Sequence, residues 1–243
     1  MIVLIITAVR IKSMDSHRIS GRILAENIAG PGILRLVEQS MQARARKTSV
    51  TEIAVKERKH PQAALTFDDG PDIRYTPLLL DGLKERNVRV SFFLLGEKVE
   101  QYPELVERMQ KEGHLVGNHT YHHVQLNKLN ETKAREEILK TNNLIYETTG
   151  VYPLYLRPPF GAWKKNLELC VEMLPVFWTI DTLDWKVQNT EKIVRTVQEQ
   201  IEDGAIILMH DEYDTSVEAA LQVVDELKNQ EYELVTVDQL ILP

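Results

Sequence analysis

The sequence predicts an α/β fold in which about seven parallel strands form an irregular or incomplete barrel. Two observations support this prediction. From residue 61 onward, short apolar runs alternate with longer amphipathic segments, which is the rhythm of strands and helices in an α/β domain. Unusual polar residues also follow several of the apolar runs, and the carboxyl ends of parallel strands meet at one face of such folds. An open doubly wound sheet is the alternative.

The strands and helices of this domain are predicted from apolar runs, amphipathic periodicity and start signals. The predicted strands are 63–67, 88–94, 114–117, 155–157, 176–180, 205–209 and 234–237. The predicted helices are 77–86, 103–112, 131–148, 164–173, 190–202 and 216–228. Several of these helices begin with a proline or with a residue that caps the first turn.

The chain of 243 residues fits one domain with an appendage, which we place at 61–243 and 1–60. In the N-terminal extension, one amphipathic helix is predicted after Gly30-Pro31-Gly32. The first nine residues are almost wholly apolar, but a bilayer needs about 20. The remnant of a membrane anchor and a buried first strand both stay open as interpretations of this segment.

Composition excludes several classes of function. Apolar residues make up 43% and charged residues 27%, as in ordinary globular proteins. The net charge of −7 comes from scattered acidic residues, which argues against nucleic acid or an anionic lipid surface as the main partner. Cys170 is the only cysteine, so it can form neither an intramolecular disulfide nor a zinc ribbon. Its apolar neighbours indicate a small buried side chain.

Asp68 and Asp69 follow the first predicted strand and precede Gly70-Pro71. Adjacent carboxylates repel each other, which is tolerated where a cation binds one of them or where they have different roles. An acidic turn is the alternative, because Asp-Gly and Gly-Pro are common turn sequences.

Three of the seven histidines lie within residues 119–123, directly after a predicted strand. The i, i+4 spacing of His119 and His123 predicts that both rings lie on one face of a helical turn and bind one metal ion. Two imidazoles and one carboxylate suit zinc or a neighbouring first-row divalent metal, and three ligands leave a position open for water.

Five segments, in order along the chain, resemble the five motifs of the polysaccharide deacetylases, the NodB-homology group of carbohydrate esterases. They are Thr66-Phe67-Asp68-Asp69-Gly70-Pro71, His119-Thr120-Tyr121-His122-His123, Arg157-Pro158-Pro159-Phe160-Gly161, Asp181-Thr182-Leu183-Asp184-Trp185 and Ile207-Leu208-Met209-His210. Each motif alone is weak or moderate evidence, but five in order are specific. The resemblance covers about residues 61–243 and is greatest to bacterial peptidoglycan N-acetylglucosamine deacetylases. It implies a distorted (β/α) barrel.

The resemblance also implies the roles of residues in the first three motifs. Asp69, His119 and His123 correspond to the metal ligands, and Asp68 to the catalytic base that deprotonates a water. Arg157 corresponds to the residue that pairs with this base and orients it. The implied metal is zinc, with cobalt, nickel and manganese as alternatives.

The remaining residues of the family pattern concern the substrate and the leaving group. By resemblance, the backbone N–H of Phe160 helps to hold the oxyanion, and Trp185 and Leu208 line the pocket for the acetyl methyl group. His210 corresponds to the general acid and Asp181 to the carboxylate that tunes it. An acid and a base of different pKa are what amide hydrolysis requires.

Three positions depart from the usual pattern of the family. Phe160 stands where tyrosine is frequent, and Val124 follows the second metal-binding histidine where proline is frequent. His122 is an additional imidazole, and the sequence leaves open whether it competes as a metal ligand or contacts the substrate.

The resemblance implies removal of N-acetyl groups from N-acetylglucosamine residues of a cell-wall glycan, with release of acetate. Peptidoglycan is the preferred substrate and chitin oligomers come next. The alternatives are an O-acetyl xylan esterase on the same fold and a non-catalytic glycan-binding protein. The glycan is the expected partner, in the cell envelope or outside the cell, and a membrane is expected only through an N-terminal anchor. The sequence does not determine the oligomeric state.

Overall fold

The computed structural model of the chain describes residues 59–163 and 173–241. The predicted N-terminal extension up to residue 58, all but the last residue of the helix predicted at 164–173, and Cys170 lie outside these ranges. Among the described helices, none combines the length and the apolar character that crossing a membrane would require.

The described residues form eight strands, and every pairing between them is parallel. The strands are β1 (Gln62–Asp68), β2 (Ser91–Leu94), β3 (Leu115–Asn118), β4 (Tyr155–Leu156), β5 (Leu174–Pro175), β6 (Ile180–Asp181), β7 (Ala205–His210) and β8 (Glu233–Leu234). Their order is β5-β4-β3-β2-β1-β7-β6, with β8 beside the first residues of β1. This curled sheet confirms the distorted barrel rather than the open doubly wound sheet.

Helices surround this sheet and connect its strands. They are α1 (Thr76–Glu85), α2 (Gly96–Gln101), α3 (Pro103–Lys111), α4 (Glu131–Thr149), α5 (Asp184–Val187), α6 (Thr190–Gln200), α7 (Asp214–Asn229) and α8 (Val237–Ile241). Pro77 and Pro103 lie in the first turns of α1 and α3, where a missing N–H costs nothing. The side chains of Asn130 and Asn189 accept backbone N–H groups at the starts of α4 and α6.

One predicted strand, 176–180, proves to be a crossing between the two edges of the sheet. The Val176 N–H donates to the carbonyl of Leu156 in β4, whereas the Thr179 N–H donates to the carbonyl of Ile206 in β7. The same apolar run therefore joins β5 at one edge to β6 at the other. This prediction was wrong because a single apolar run carries no information about which neighbour each residue pairs with.

Smaller differences between prediction and structure concern the boundaries of strands and some short helices. The strand predicted at 234–237 ends at Leu234, and Val237 begins α8. The short helices α2, α5 and α8 were not predicted. Each has six residues or fewer, too few to show a helical period in the sequence.

The carboxyl ends of the central strands lie side by side in the sheet. The candidate site lies at these strand ends. Six of the seven residues of β1 are buried, as expected of a parallel strand covered on both faces. In the register of the sheet, Asp68 lies opposite His210 of β7, and Asn118 lies opposite Leu156 of β4. Loops that leave these strands therefore begin close together.

Candidate functional site

Asp69, His119 and His123 come together beyond the ends of β1 and β3. Nε2 of His119 lies 3.4 Å and Nε2 of His123 lies 3.5 Å from Oδ1 of Asp69. One ligand atom from each residue lies within 4.8 Å of the other two. The structure thus brings together the three residues predicted to bind a metal. Asp69 is at least 50 positions away from either histidine in the sequence.

The two histidines are brought together by a loop, not by the helical turn that their spacing predicts. Residues 119–123 contain no helix, and Thr120 and His123 have φ values of 68° and 54°. Asp69 has a φ of 69°. Left-handed backbone costs about 1–2 kcal/mol for a residue with a side chain, and such strain is concentrated at functional sites. The structure therefore brings the predicted pair together, but the predicted helical turn was wrong.

The surroundings of the cluster fit a cation. Nδ1 of His119 lies 2.6 Å from the carbonyl oxygen of Arg157, which fixes Nδ1 as the donor and leaves Nε2 free to coordinate. Oδ1 of Asp69 is buried and has no hydrogen-bond partner in the described part of the chain. Two imidazole nitrogens around such a carboxylate oxygen form a donor set suited to zinc or a similar divalent ion.

The electrostatics of the cluster favour a charged carboxylate at Asp69. Burial alone raises the pKa of Asp69, but the neighbouring imidazoles of His119, His123 and His210 together hold that pKa well below its usual range. Burial lowers the pKa of His123, against the opposing effect of Asp69. Anionic Asp69 and neutral His123 are the forms that bind a metal.

Asp68 lies behind this cluster and is held by a buried arginine. Nη1 of Arg157 donates to Oδ1 of Asp68 at 2.8 Å and to Oγ1 of Thr66 at 2.7 Å. Arg157 is fully buried, and its guanidinium lies 4.3 Å from the centre of the Phe93 ring. Oδ2 of Asp68 lies 3.6 Å from Nε2 of His119. One carboxylate oxygen is thus fixed while the other faces the cluster.

His210 also lies near Asp69, with 3.9 Å between its Nε2 and Oδ2 of that carboxylate. Its Nδ1 lies 2.8 Å from Oδ1 of Asp184, and its backbone N–H donates to Oδ2 of the same residue at 2.8 Å. Asp184 is fully buried. Burial alone lowers the pKa of His210, but the hydrogen bond and charge of Asp184, with smaller effects of Asp68 and Asp69, raise it to about 9.

This geometry corrects the prediction that Asp181 tunes His210. Oδ1 of Asp181 accepts the backbone N–H of Leu183 at 3.0 Å, whereas Asp184 contacts the ring. Leu183 has a φ of 51°, and this left-handed residue begins the turn that leads into α5 and places Asp184 under His210. Both carboxylates belong to the motif Asp181-Thr182-Leu183-Asp184-Trp185, and only the structure shows which of them contacts His210.

The predicted substrate-contacting residues differ in exposure. Phe160 is 62% exposed, and its ring centre lies 4.5 Å from that of His123. Trp185, in α5, is 49% exposed, whereas Leu208, in β7, is buried. Phe160 thus flanks the metal cluster, and both aromatic rings are accessible to a polymer. The roles of these three residues stay predictions.

His122 points away from the metal cluster. Its Nδ1 lies 2.7 Å from Oε1 of Glu137 in α4, and its side chain is 58% exposed. The ring packs edge-on against Tyr121, with 4.5 Å between ring centres. These contacts favour the interpretation that His122 is not a metal ligand.

Gly70 follows the two aspartates where no side chain can be accommodated. A Cβ atom at this position would lie 2.5 Å from Oδ1 of the buried Asp211, whose other carboxylate oxygen accepts the hydroxyl of Thr76. Gly70→Ala should therefore lower the free energy of unfolding by about 1–3 kcal/mol through overpacking. Urea denaturation would measure this loss, and the loss should shrink in an Asp211→Ala background. An equal loss in both backgrounds would show that the clash is not its cause.

Comparison with known proteins gives one matching family model, described as polysaccharide deacetylase, over residues 55–176. A peptidoglycan-N-acetylglucosamine deacetylase of Bacillus cereus is 39% identical over 186 residues, which are 74% of this chain and 68% of the relative. The peptidoglycan-N-acetylglucosamine deacetylase PgdA of Listeria monocytogenes is 41% identical over 185 residues, which are 76% of this chain. The chain spans only 40% of the length of that relative.

A solved structure extends the similarity to the fold. The structure of the peptidoglycan deacetylase PdaC from Bacillus subtilis has a TM-score of 0.73 and 41% sequence identity, covering 75% of this chain and 91% of that one. The B. subtilis protein called PdaC among the curated relatives is named a peptidoglycan-N-acetylmuramic acid deacetylase, 42% identical over 73% of this chain and 38% of its own length. The similarity therefore extends to proteins named for two different sugars of peptidoglycan.

Proposed function

This chain belongs to the polysaccharide deacetylase family, and we propose on that basis that it is a metal-dependent hydrolase of N-acetyl groups on a cell-wall glycan. The observation that carries the proposal is that two different functional groups border one candidate metal site. Oδ2 of Asp68 lies 3.6 Å from Nε2 of His119, and Nε2 of His210 lies 3.9 Å from Oδ2 of Asp69. A base and an acid in such positions suit hydrolysis of an amide.

Asp69, His119 and His123 would hold the metal. When bound, a divalent ion at such a site polarises a carbonyl and lowers the pKa of a water towards about 7. Zinc is the metal that the ligand set favours, with cobalt, nickel and manganese as alternatives. Metal analysis of the purified protein, and recovery of metal binding after chelation, would identify the ion.

Asp68 would act as the base that accepts a proton from the attacking water. Arg157 occupies Oδ1 of this carboxylate, so Oδ2 is the oxygen that faces the cluster. Arg157 also donates to Thr66, whose hydroxyl donates to the carbonyl of Ile207 in β7. The base is therefore linked through these side chains to the neighbouring strand. Such fixed geometry places the proton acceptor before the substrate arrives.

His210 would donate a proton to the nitrogen that leaves as an amine. An amine is a poor leaving group until it is protonated, and Asp184 keeps the imidazole charged and oriented for this step. The backbone N–H of Phe160 would donate to the oxyanion, and Trp185 and Leu208 would contact the acetyl methyl group. These assignments follow the family pattern, with Asp184 in the place predicted for Asp181.

The proposed substrate is peptidoglycan, with N-acetylglucosamine as the deacetylated sugar. The names of the B. cereus and Listeria relatives support this sugar, whereas the name of PdaC supports N-acetylmuramic acid as a second candidate. Chitin oligomers and acetylated xylan are further alternatives, because the same chemistry hydrolyses amides and esters. A peptidoglycan substrate implies work in the cell envelope or outside the cell.

Acetate release from peptidoglycan, chitin oligomers and acetylated xylan would test the proposal. We expect release from peptidoglycan, followed in rate by chitin oligomers, with loss of activity on chelation and recovery on addition of Zn²⁺. Mass spectrometry of muramidase fragments would show whether the glucosamine or the muramic acid carries the free amine. Activity on acetylated xylan alone, or binding of glycans without acetate release, would contradict the proposed N-deacetylase.

A further inference from the structure

The loop between the two metal-binding histidines lacks the hydrogen bonds of regular secondary structure. Because Thr120 and His123 have left-handed backbone, residues 119–123 cannot form a helical turn. Buried or half-buried N–H groups in such a loop need acceptors from elsewhere in the chain. One side chain, Glu137 of α4, accepts two of these N–H groups and also contacts the ring of His122.

The carboxylate of Glu137 lies against the middle of this loop. Its Oε2 accepts the backbone N–H of Tyr121 at 3.0 Å and that of His122 at 2.9 Å. Its Oε1 lies 2.7 Å from Nδ1 of His122. The side chain of Glu137 is only 15% exposed, so water competes little for these bonds.

The strand end that leads into the loop is held by the same helix. The side-chain amide of Asn118 donates to the carbonyl of Ile138 at 2.9 Å and to the side chain of Asn142 at 2.6 Å. Its Oδ1 accepts the backbone N–H of Thr120 at 2.7 Å. Helix α4 thus contacts the loop through Asn118 on one side and through Glu137 at its centre.

We propose that Glu137 is a positioning residue for the metal centre, which sets the separation of His119 and His123 by fixing two of the three residues between them. The proposal rests on the proposed function only in assuming that these histidines bind a metal. Glu137 contacts neither the metal ligands' rings nor the substrate site in the described structure; it acts through the backbone of Tyr121 and His122. The contact with Nδ1 also holds the His122 ring away from the cluster.

The experiment is Zn²⁺ binding to the metal-free full chain, measured by calorimetry with a competing chelator. Glu137→Ala should weaken the affinity by about 10- to 100-fold, as is typical when a group that supports a metal ligand is removed. Glu136→Ala is the matched control, since Glu136 is exposed on the same helix and its loss changes the net charge equally. This control should bind Zn²⁺ as the unaltered chain does.

Two further variants separate positioning from general stability. Glu137→Gln keeps an oxygen for the two backbone N–H groups and should lose less affinity than Glu137→Ala. His122→Ala removes one of the three contacts and should also lose less. If Glu137→Ala fails to fold, Glu137→Gln measured against Glu136→Gln decides the question.

Unchanged Zn²⁺ affinity in folded Glu137→Ala would overturn the proposal, whatever happens to its melting temperature. A loss of affinity by His122→Ala equal to or above that of Glu137→Ala would also overturn it, because His122 would then act as a ligand itself. No substrate is present in these measurements. Failure of this inference is therefore distinguishable from failure of the proposed deacetylation, which acetate release tests separately.

Discussion

Asp68→Asn should lower kcat for acetate release by about 10²–10⁴-fold, the range expected for loss of a general base. The amide cannot accept a proton from water at neutral pH. Its oxygen can still accept the hydrogen bond from Arg157, which limits damage to the surrounding strands. Steady-state kinetics on peptidoglycan, with circular dichroism to verify folding, would measure the effect.

Asp69→Asn is the matched comparison for Asp68→Asn, because Asp69 is proposed as a metal ligand and Asp68 as the base. Asp68→Asn should retain Zn²⁺ affinity within a few fold, whereas Asp69→Asn should lose both the affinity and the activity, since Oδ1 of Asp69 lies closest to the two rings. Calorimetry on both variants separates these outcomes. Equal loss of metal by both variants would place Asp68 among the ligands and remove its role as the base.

Asp184→Asn should reduce kcat by about 10³-fold, because an uncharged partner neither stabilises the imidazolium of His210 nor fixes its tautomer. Asp184 is the main cause of the raised pKa of His210, about 9 in this structure. An acid is active while it is protonated, so the activity carried by His210 falls as the pH rises through its pKa. Removing the charge lowers that pKa and should move the alkaline limb of kcat to lower pH.

Asp181→Asn is the control for this assignment. Oδ1 of Asp181 accepts only the backbone N–H of Leu183 among the contacts described for it, and an asparagine oxygen can accept the same bond. The variant should keep kcat within about tenfold and leave the alkaline limb in place. If Asp181→Asn shifts the alkaline limb of kcat and Asp184→Asn does not, then Asp181 is the residue that tunes His210, and the contact between Asp184 and His210 has no role in catalysis.

Much of the fold could be predicted because its signals are local. Apolar runs at β1, β2, β3 and β7 and the period of α3, α4, α6 and α7 identify these elements directly. Their alternation indicates parallel strands, and parallel strands bring their carboxyl ends together. The sequence therefore predicts that the residues at the ends of these strands share one site, namely Asp68, Asp69, His119 and His210.

What the sequence by itself determined was the set of motifs and the end of the sheet on which they lie. Tertiary structure alone decided which of these residues touch: Asp184 rather than Asp181 lies against His210, and Glu137 lies against His122. Left-handed backbone at Leu183, Thr120 and His123 directs these side chains. The reason is physical, since such torsions are unfavourable locally and persist only where contacts with distant strands and helices compensate for them.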